Sequence, residues 1–287
     1  MKKYIFKIVK WTIITIFTFL VIGILYIRFT RQVDKILYQG ENFKPYEKFE
    51  SQFKVKEEFV KVDENVKLHT ALFMPDSIEA IATIFYPEGK GGNLINAQNF
   101  FKPLIDKGFQ IFSFEYRDIG LSTGKSENSL TLKNDVLFLF DRLYKDPSIK
   151  NKPVIIWGHS MGTAFATMVA KERQDKIKGL VLEGGFSSYP DIAKHYAGFL
   201  HLEHFKWLIP LIMNNDFPAE KEISYIHKPT IIIHSTEDEA VPYELGQKLF
   251  KYSNKENTRF WTIKGAHVQG IKLYEKEYIK IFMDMIK

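Results

Sequence analysis

A serine boxed by glycines, a cluster of acids and a later histidine follow one another along this chain in an order suited to nucleophilic catalysis. Residues 158–162 read GHSMG, after the apolar run PVIIW and before the small-residue run TAFATMVA. A serine hydroxyl is a poor nucleophile without a base, and the base needs an acid to orient it. The stretch IIIHSTEDEAVP (231–242) ends an apolar run with three acids, among which Asp238 is the selected partner and Glu237 the second candidate. The stretch FWTIKGAHVQG (260–270) then supplies His267 after two small residues, which leave the imidazole room to swing toward Ser160. Ser160 would attack a carbonyl, His267 would carry the proton and Asp238 would hold the ring. The remaining histidines suit structural roles better. His159 neighbours the serine but points elsewhere on a turn, His195, His201 and His204 lie in an aromatic segment, and His234 precedes the acid.

These residues need elements that bring them together. A nucleophile on a strand-to-helix turn requires neighbours with almost no side chain, because the backbone there is sharply bent. Gly158 and Gly162 meet that need, and Ala164 continues a close approach of helix to sheet. Such a turn also aims the first helical N–H groups at the serine. The runs AIATIFYP, FQIFSFEY, PVIIWG, IKGLVLEG, PTIIIHS and TRFWTIKG are short and nearly continuous in apolar residues. Strands of that kind are buried on both faces. Segments of helical period separate most of them, such as LTLKNDVLFLFDRLYK (130–145). The alternation predicts a mostly parallel, doubly wound α/β sheet. Before it, FKVKEEFVKV and VKLHTALFMP flank the turn DEN and predict an antiparallel pair. Residues 186–226 break the rhythm with a long aromatic-rich insertion, read as a helical cap over the strand ends. Its Phe186, Tyr189, Tyr196, Phe199, Leu200, Phe205, Trp207, Leu208 and Ile209 are expected above Ser160, some packed together and some lining the cleft.

The run WTIITIFTFLVIGILYI (11–27) carries no charge and is flanked by Lys10 and Arg28. It reads as a single uncleaved membrane anchor, lengthened by the snorkelling of Lys10. A cleaved signal peptide is the rival, but alanine does not occur before Ala71 and cysteine is absent. The basic residues ahead of the run favour a cytoplasmic N-terminus and an extracytoplasmic body. The net charge of +6 resides in residues 1–31, which hold six basic residues and no acid. The neutral remainder gives no electrostatic reason to bind nucleic acid. Without cysteine there is no disulfide, thiolate nucleophile or Cys-ligated zinc, and the histidines lack metal-site spacing; no metal or cofactor is expected.

With these motifs together, the chain resembles the alpha/beta-hydrolase superfamily. More narrowly, it is similar to the single-pass, membrane-anchored abhydrolase-domain serine hydrolases, which include lysophospholipid and acyl-ester hydrolases. The resemblance covers roughly residues 53–285. Where that group has H-G-N-x-G-N, EGKGGN (88–93) stands here; its Y-R-G-x-G-x-S pattern is matched by YRDIGLSTG (116–124). The pattern H-G-x-x-D-x-x-V-P is matched by HSTEDEAVP (234–242), which again selects Asp238. By position, the resemblance implies oxyanion donors at the backbone N–H groups of Lys90 and Met161. Glu88 replaces the group's usual histidine, and its carboxylate would oppose an oxyanion unless it turned away or paired with Lys90 or Arg117. The expected organisation is an anchor over 1–31, a juxtamembrane helix and linker over 32–52, and a hydrolase domain over 53–287. The expected activity is cleavage of a small-molecule or lipid ester at the membrane. A peptidase or amidase of the same fold, and a catalytically silent binding module, are the alternatives.

Overall fold

The computed structural model describes residues 2–33, 37, 46–126 and 128–287. Much of the expected juxtamembrane helix and linker, at 34–36 and 38–45, lies outside the described residues. Helix α1 (Lys2–Phe29) has 28 residues, a length of about 42 Å at the helical rise. It is long and apolar enough to cross a membrane, and none of its residues is buried.

The sheet has eight strands in the order β1-β2-β4-β3-β5-β6-β7-β8 among the described residues. They are β1 (Lys54–Asp63), β2 (Val66–Met74), β3 (Ala82–Tyr86), β4 (Phe109–Phe114), β5 (Val154–His159), β6 (Gly179–Glu183), β7 (Thr230–Ser235) and β8 (Thr258–Ile263). Strands β1 and β2 form the expected hairpin, and β2 also runs antiparallel to β4. Every later pairing is parallel, from β4–β3 through β7–β8. Parallel neighbours require crossovers, and the helices that make them cover the sheet. They include α2 (Ser129–Tyr144), α3 (Gly162–Glu172), α4 (Tyr189–Phe199) and α5 (Tyr243–Tyr252), and α6 (Glu275–Met285) follows the last strand and packs on the sheet through Tyr278 and Phe282. Helix α2 starts where Asn128 accepts a hydrogen bond from the Thr131 N–H at 3.1 Å, satisfying one of the orphan donors of its first turn.

The continuous apolar runs now have a physical explanation. In β5, Val154 and Ile156 face one core while Ile155 and Trp157 face the other. In β6, Leu180 and Leu182 face the first and Val181 the second. Both faces are therefore dry, so the strands show no polar alternation. The first core is closed by α2, α3 and the insertion, and the second by residues such as Phe101, Tyr278 and Phe282.

The insertion between β6 and β7 is helical, as expected, but its aromatic residues divide. Phe186, Tyr189 and Ile209 are buried against the body. Tyr196, Phe199, Leu200, Phe205 and Trp207 face outward and are 48–68% exposed. The sequence expectation has most of them packed together and onto the sheet and some lining the cleft; these five instead leave much of their surface uncovered.

Candidate active site

Ser160 sits where β5 gives way to α3, with φ of +52°. That left-handed conformation is strained for a residue with a Cβ and recurs at functional sites. The turn is tolerated because its surroundings are shaped for it. A Cβ on Gly162 would fall 2.1 Å from the Pro87 carbonyl oxygen and 2.7 Å from that of Glu88. Glycine there lets the loop after β3 lie directly on the start of α3. On the other side of the serine, a Cβ on Gly89 would lie 3.2 Å from Ser160 Cβ. The residues after Ser160 head α3, where N–H groups have no carbonyl partner within their own helix.

The acid and the histidine arrive on the loops after β7 and β8. His267 Nδ1 lies 2.7 Å from Asp238 Oδ2. The other carboxylate oxygen accepts the N–H groups of Ala240 at 3.0 Å and Val241 at 2.8 Å. Burial pushes the Asp238 carboxyl up, but His267, the Val241 N–H and His234 outweigh it and hold the group below the ordinary aspartate value. Glu237, the second candidate, instead accepts the N–H of Gly265 at 3.0 Å and ties the acid loop to the histidine loop. Ser235 does the same from its hydroxyl, donating to the Gly265 carbonyl at 2.5 Å.

Ser160 and His267 each adjoin the end of β6. The Ser160 N–H donates to the Glu183 carbonyl at 2.9 Å, and Gly184 follows with φ of +61°. A Cβ there would fall 2.8 Å from His267 Cε1, so the ring packs on the bare backbone. No hydrogen bond joins the Ser160 hydroxyl to the imidazole among the described residues. Such bonds are often loose without substrate and tighten when it binds.

Glu88 turns inward, beneath the loop. Its Oε1 accepts the Gly89 N–H at 3.1 Å and lies 3.4 Å from the Tyr86 hydroxyl. Burial raises its carboxyl above the ordinary glutamate value. Arg117, considered as its counter-ion, forms a two-pronged pair with Asp135 at 2.7 and 3.0 Å. The Tyr116 hydroxyl donates to the Glu88 carbonyl oxygen at 3.0 Å and steadies the backbone of the loop.

Sequence reasoning missed the buried polar chain that continues from there. The Tyr86 hydroxyl lies 2.7 Å from His159 Nδ1, and His159 Nε2 lies 3.1 Å from Glu183 Oε2. Glu183 also accepts the Tyr278 hydroxyl and the Gly270 N–H, the latter at 2.7 Å. Burial pushes the Glu183 carboxyl up, yet His159, Tyr278 and Gly270 bring it below the ordinary value. Three loops are thereby tied together under the serine: the one after β3, the nucleophile turn and the one after β8. A charged residue closing the apolar run of β6 was the available signal. His234 is also fully buried behind the site, 2.9 Å from the Val241 carbonyl and 3.6 Å from Asp238 Oδ2, and burial depresses its pKa. Among the described residues no group of three His, Asp or Glu side chains converges as a metal site.

Known proteins resemble this chain in sequence and in fold. Residues 79–215 match the family model described as serine aminopeptidase, S33. The chain is 33% identical over 160 residues to lysophosphatidylserine lipase ABHD12 of Danio rerio, covering 52% of this chain and 41% of that protein. It is 34% identical over 195 residues to the Xenopus tropicalis protein of the same name, covering 64% and 46%. The chain therefore spans less than half the length of these curated relatives. Among solved structures, the Pyrococcus furiosus esterase Pf2001 superposes with a TM-score of 0.66 at 20% identity, over 85% of this chain and 95% of that one. The mostly parallel sheet, the serine on its strand-to-helix turn and these structural likenesses lead to one assignment: the chain has the alpha/beta-hydrolase fold.

Proposed function

We propose that the protein is a membrane-anchored serine hydrolase that cleaves carboxylic esters of acyl chains, lysolipids among them. The observation that carries this reading is the Asp238–His267 contact of 2.7 Å, made beside the strained turn that presents Ser160. In the proposed reaction Ser160 Oγ bonds to the ester carbonyl carbon while its proton passes to His267 Nε2. Asp238 fixes the ring and stabilises the imidazolium. The oxyanion is received by the N–H groups of Lys90 and Met161. Collapse of the tetrahedral species breaks the bond to the alcohol, which leaves with the proton from His267. Water then enters by the reverse steps and releases the carboxylic acid. Inward rotation of Glu88 supports this scheme, since it takes the carboxylate away from the face of the loop next to the serine.

The lipid preference draws on the anchor helix and on the curated relatives' activity. It also draws on the apolar contacts Phe186–Tyr189, Tyr189–Phe217 and Phe217–Phe165, which line the inner cap up to Tyr116. Each acyl methylene buried against apolar side chains contributes about 0.8 kcal/mol. We assign the hydrolase body to the extracytoplasmic side from the basic residues preceding the apolar run.

The test is fluorophosphonate labelling followed by an acyl-length series. The full chain should label, Ser160→Ala should not, and Asp238→Asn should lower kcat by about 10⁴ through the wrong imidazole tautomer. Across esters from acetyl to palmitoyl, kcat/KM should rise. A steady decline from acetate would remove the acyl pocket from the proposal, and faster cleavage of matched amides would favour a peptidase.

A further inference from the structure

The end of α1 is in contact with the cap insertion around residues 209–216. Arg28 is the first charge after the apolar run 11–27. Its Nη1 donates to the carbonyls of Pro210, Leu211 and Met213 at 3.0, 3.3 and 3.2 Å. Asn214 returns a bond to the Arg28 carbonyl at 3.3 Å. Three residues on, Arg31 pairs with Asp216, which also accepts from Ser129. The anchor is thus fastened to the insertion itself. If the run fills the hydrocarbon, residues 210–213 stand where the hydrocarbon ends.

Around that point the surface is rich in apolar side chains, with His201, Glu203 and His204 also exposed. Phe199 is 65% exposed, Leu200 68%, Phe205 55%, Trp207 60% and Leu211 43%. They come from the end of α4, the turn Glu203–Leu208 and the short helix Ile209–Ile212, which pack against one another, with α1 against the last. The opposite side of this segment is already apolar, since Ile209 and Met213 are buried in the body. A helical segment over a water-soluble body needs a polar outer side. An outer side carrying aromatic and aliphatic residues is instead suited to a non-aqueous partner. Aromatic residues beside a spanning helix, with Lys206 among them, match the composition of a membrane–water interface.

We infer that this outer cap surface docks into the lipid interface of the membrane that α1 crosses, so that the cap meets lipid directly. The inference rests on the anchor reading and goes beyond it. The anchor alone would hold the body near the membrane in any orientation, whereas the Arg28 contacts and the apolar surface select one.

Native cysteine is absent, so single nitroxide labels can be placed on the full chain in phosphatidylcholine vesicles. Labels at Phe205→Cys and Trp207→Cys should collide with oxygen several-fold more, and with a water-soluble nickel chelate several-fold less, than a label at Phe138→Cys. Phe138 is a suitable aqueous reference because it is 47% exposed on α2. Cap labels as accessible to nickel as the Phe138 label would overturn the proposal. So would spin–spin broadening between cap labels, which would assign the surface to a second copy. A label at Phe17→Cys separates the two readings. If it too is aqueous, the anchor has failed; if it is lipid-buried while the cap labels are aqueous, only the docking has failed.

Discussion

At the scale of single side chains, Asp238 and Glu88 are both buried carboxyls, and their surroundings push them in opposite directions. Asp238 keeps its charge because His267 and backbone N–H groups face it, and its pKa is depressed. Its stabilising contribution is present above the unfolded value near 3.8 and is lost as pH falls through the folded value. Glu88 has its pKa raised by desolvation, which exceeds the lowering by His159, Gly89 and Tyr86. A raised acid binds its proton more tightly when folded. Its contribution is present below 4.5 and declines as pH rises through the folded value. Gln at this position cannot titrate and still accepts the Gly89 N–H. The melting temperature of Glu88→Gln relative to the parent should therefore climb steadily from mildly acidic to mildly alkaline pH. An offset that does not change with pH would mean that Glu88 titrates alike in the folded and unfolded chains.

At the scale of elements, the nucleophile turn depends on how closely the loop after β3 lies on α3. Gly162→Ala would put a Cβ 2.1 Å from the Pro87 carbonyl oxygen, a rigid backbone atom that must move. Overpacking of that kind costs about 1–3 kcal/mol. The displaced loop carries the proposed Lys90 donor, and loss of one oxyanion donor lowers kcat by about 10²–10³. Urea unfolding and steady-state kinetics on Gly162→Ala should show both effects. A loss of stability with unaltered kcat would detach the loop from catalysis.

At the scale of the whole molecule, α1 and the insertion form one mechanical unit through Arg28 and Arg31. The full chain should remain in membranes through carbonate washing. Arg28→Ala should stay there too, because the apolar run is intact. That substitution leaves the carbonyls of Pro210, Leu211 and Met213 without the guanidinium they now share. Since the contacts are largely exposed, the global loss should be small, about 1 kcal/mol. The local effect should be larger. Limited proteolysis of the membrane-held variant should cut within 200–216 several-fold faster than the parent, and equal rates would show that the arginine does not hold the insertion.

The sequence alone determined the elements, because periodicity is set by neighbours a few residues apart. Runs such as PVIIW and GLVLE announced strands buried on both faces, and residues 130–145 announced α2 almost to the residue. The GHSMG turn and the order of serine, acid and histidine were legible for the same reason, since strand ends and turns are local. What the tertiary structure decided is where side chains in loops point, which depends on partners far along the chain. The residues alone left both Asp238 and Glu237 open; the fold sets Asp238 on His267 and gives Glu237 the Gly265 N–H instead. Glu88 looked like a threat to the oxyanion until Tyr86 and Gly89 were seen to draw it inward. The chain from His159 through Glu183 to Tyr278 spans 120 positions and has no local signature. The division of the cap's aromatics into an inner and an outer face arises likewise from packing against β6, α3 and the end of α1, which no window of sequence contains.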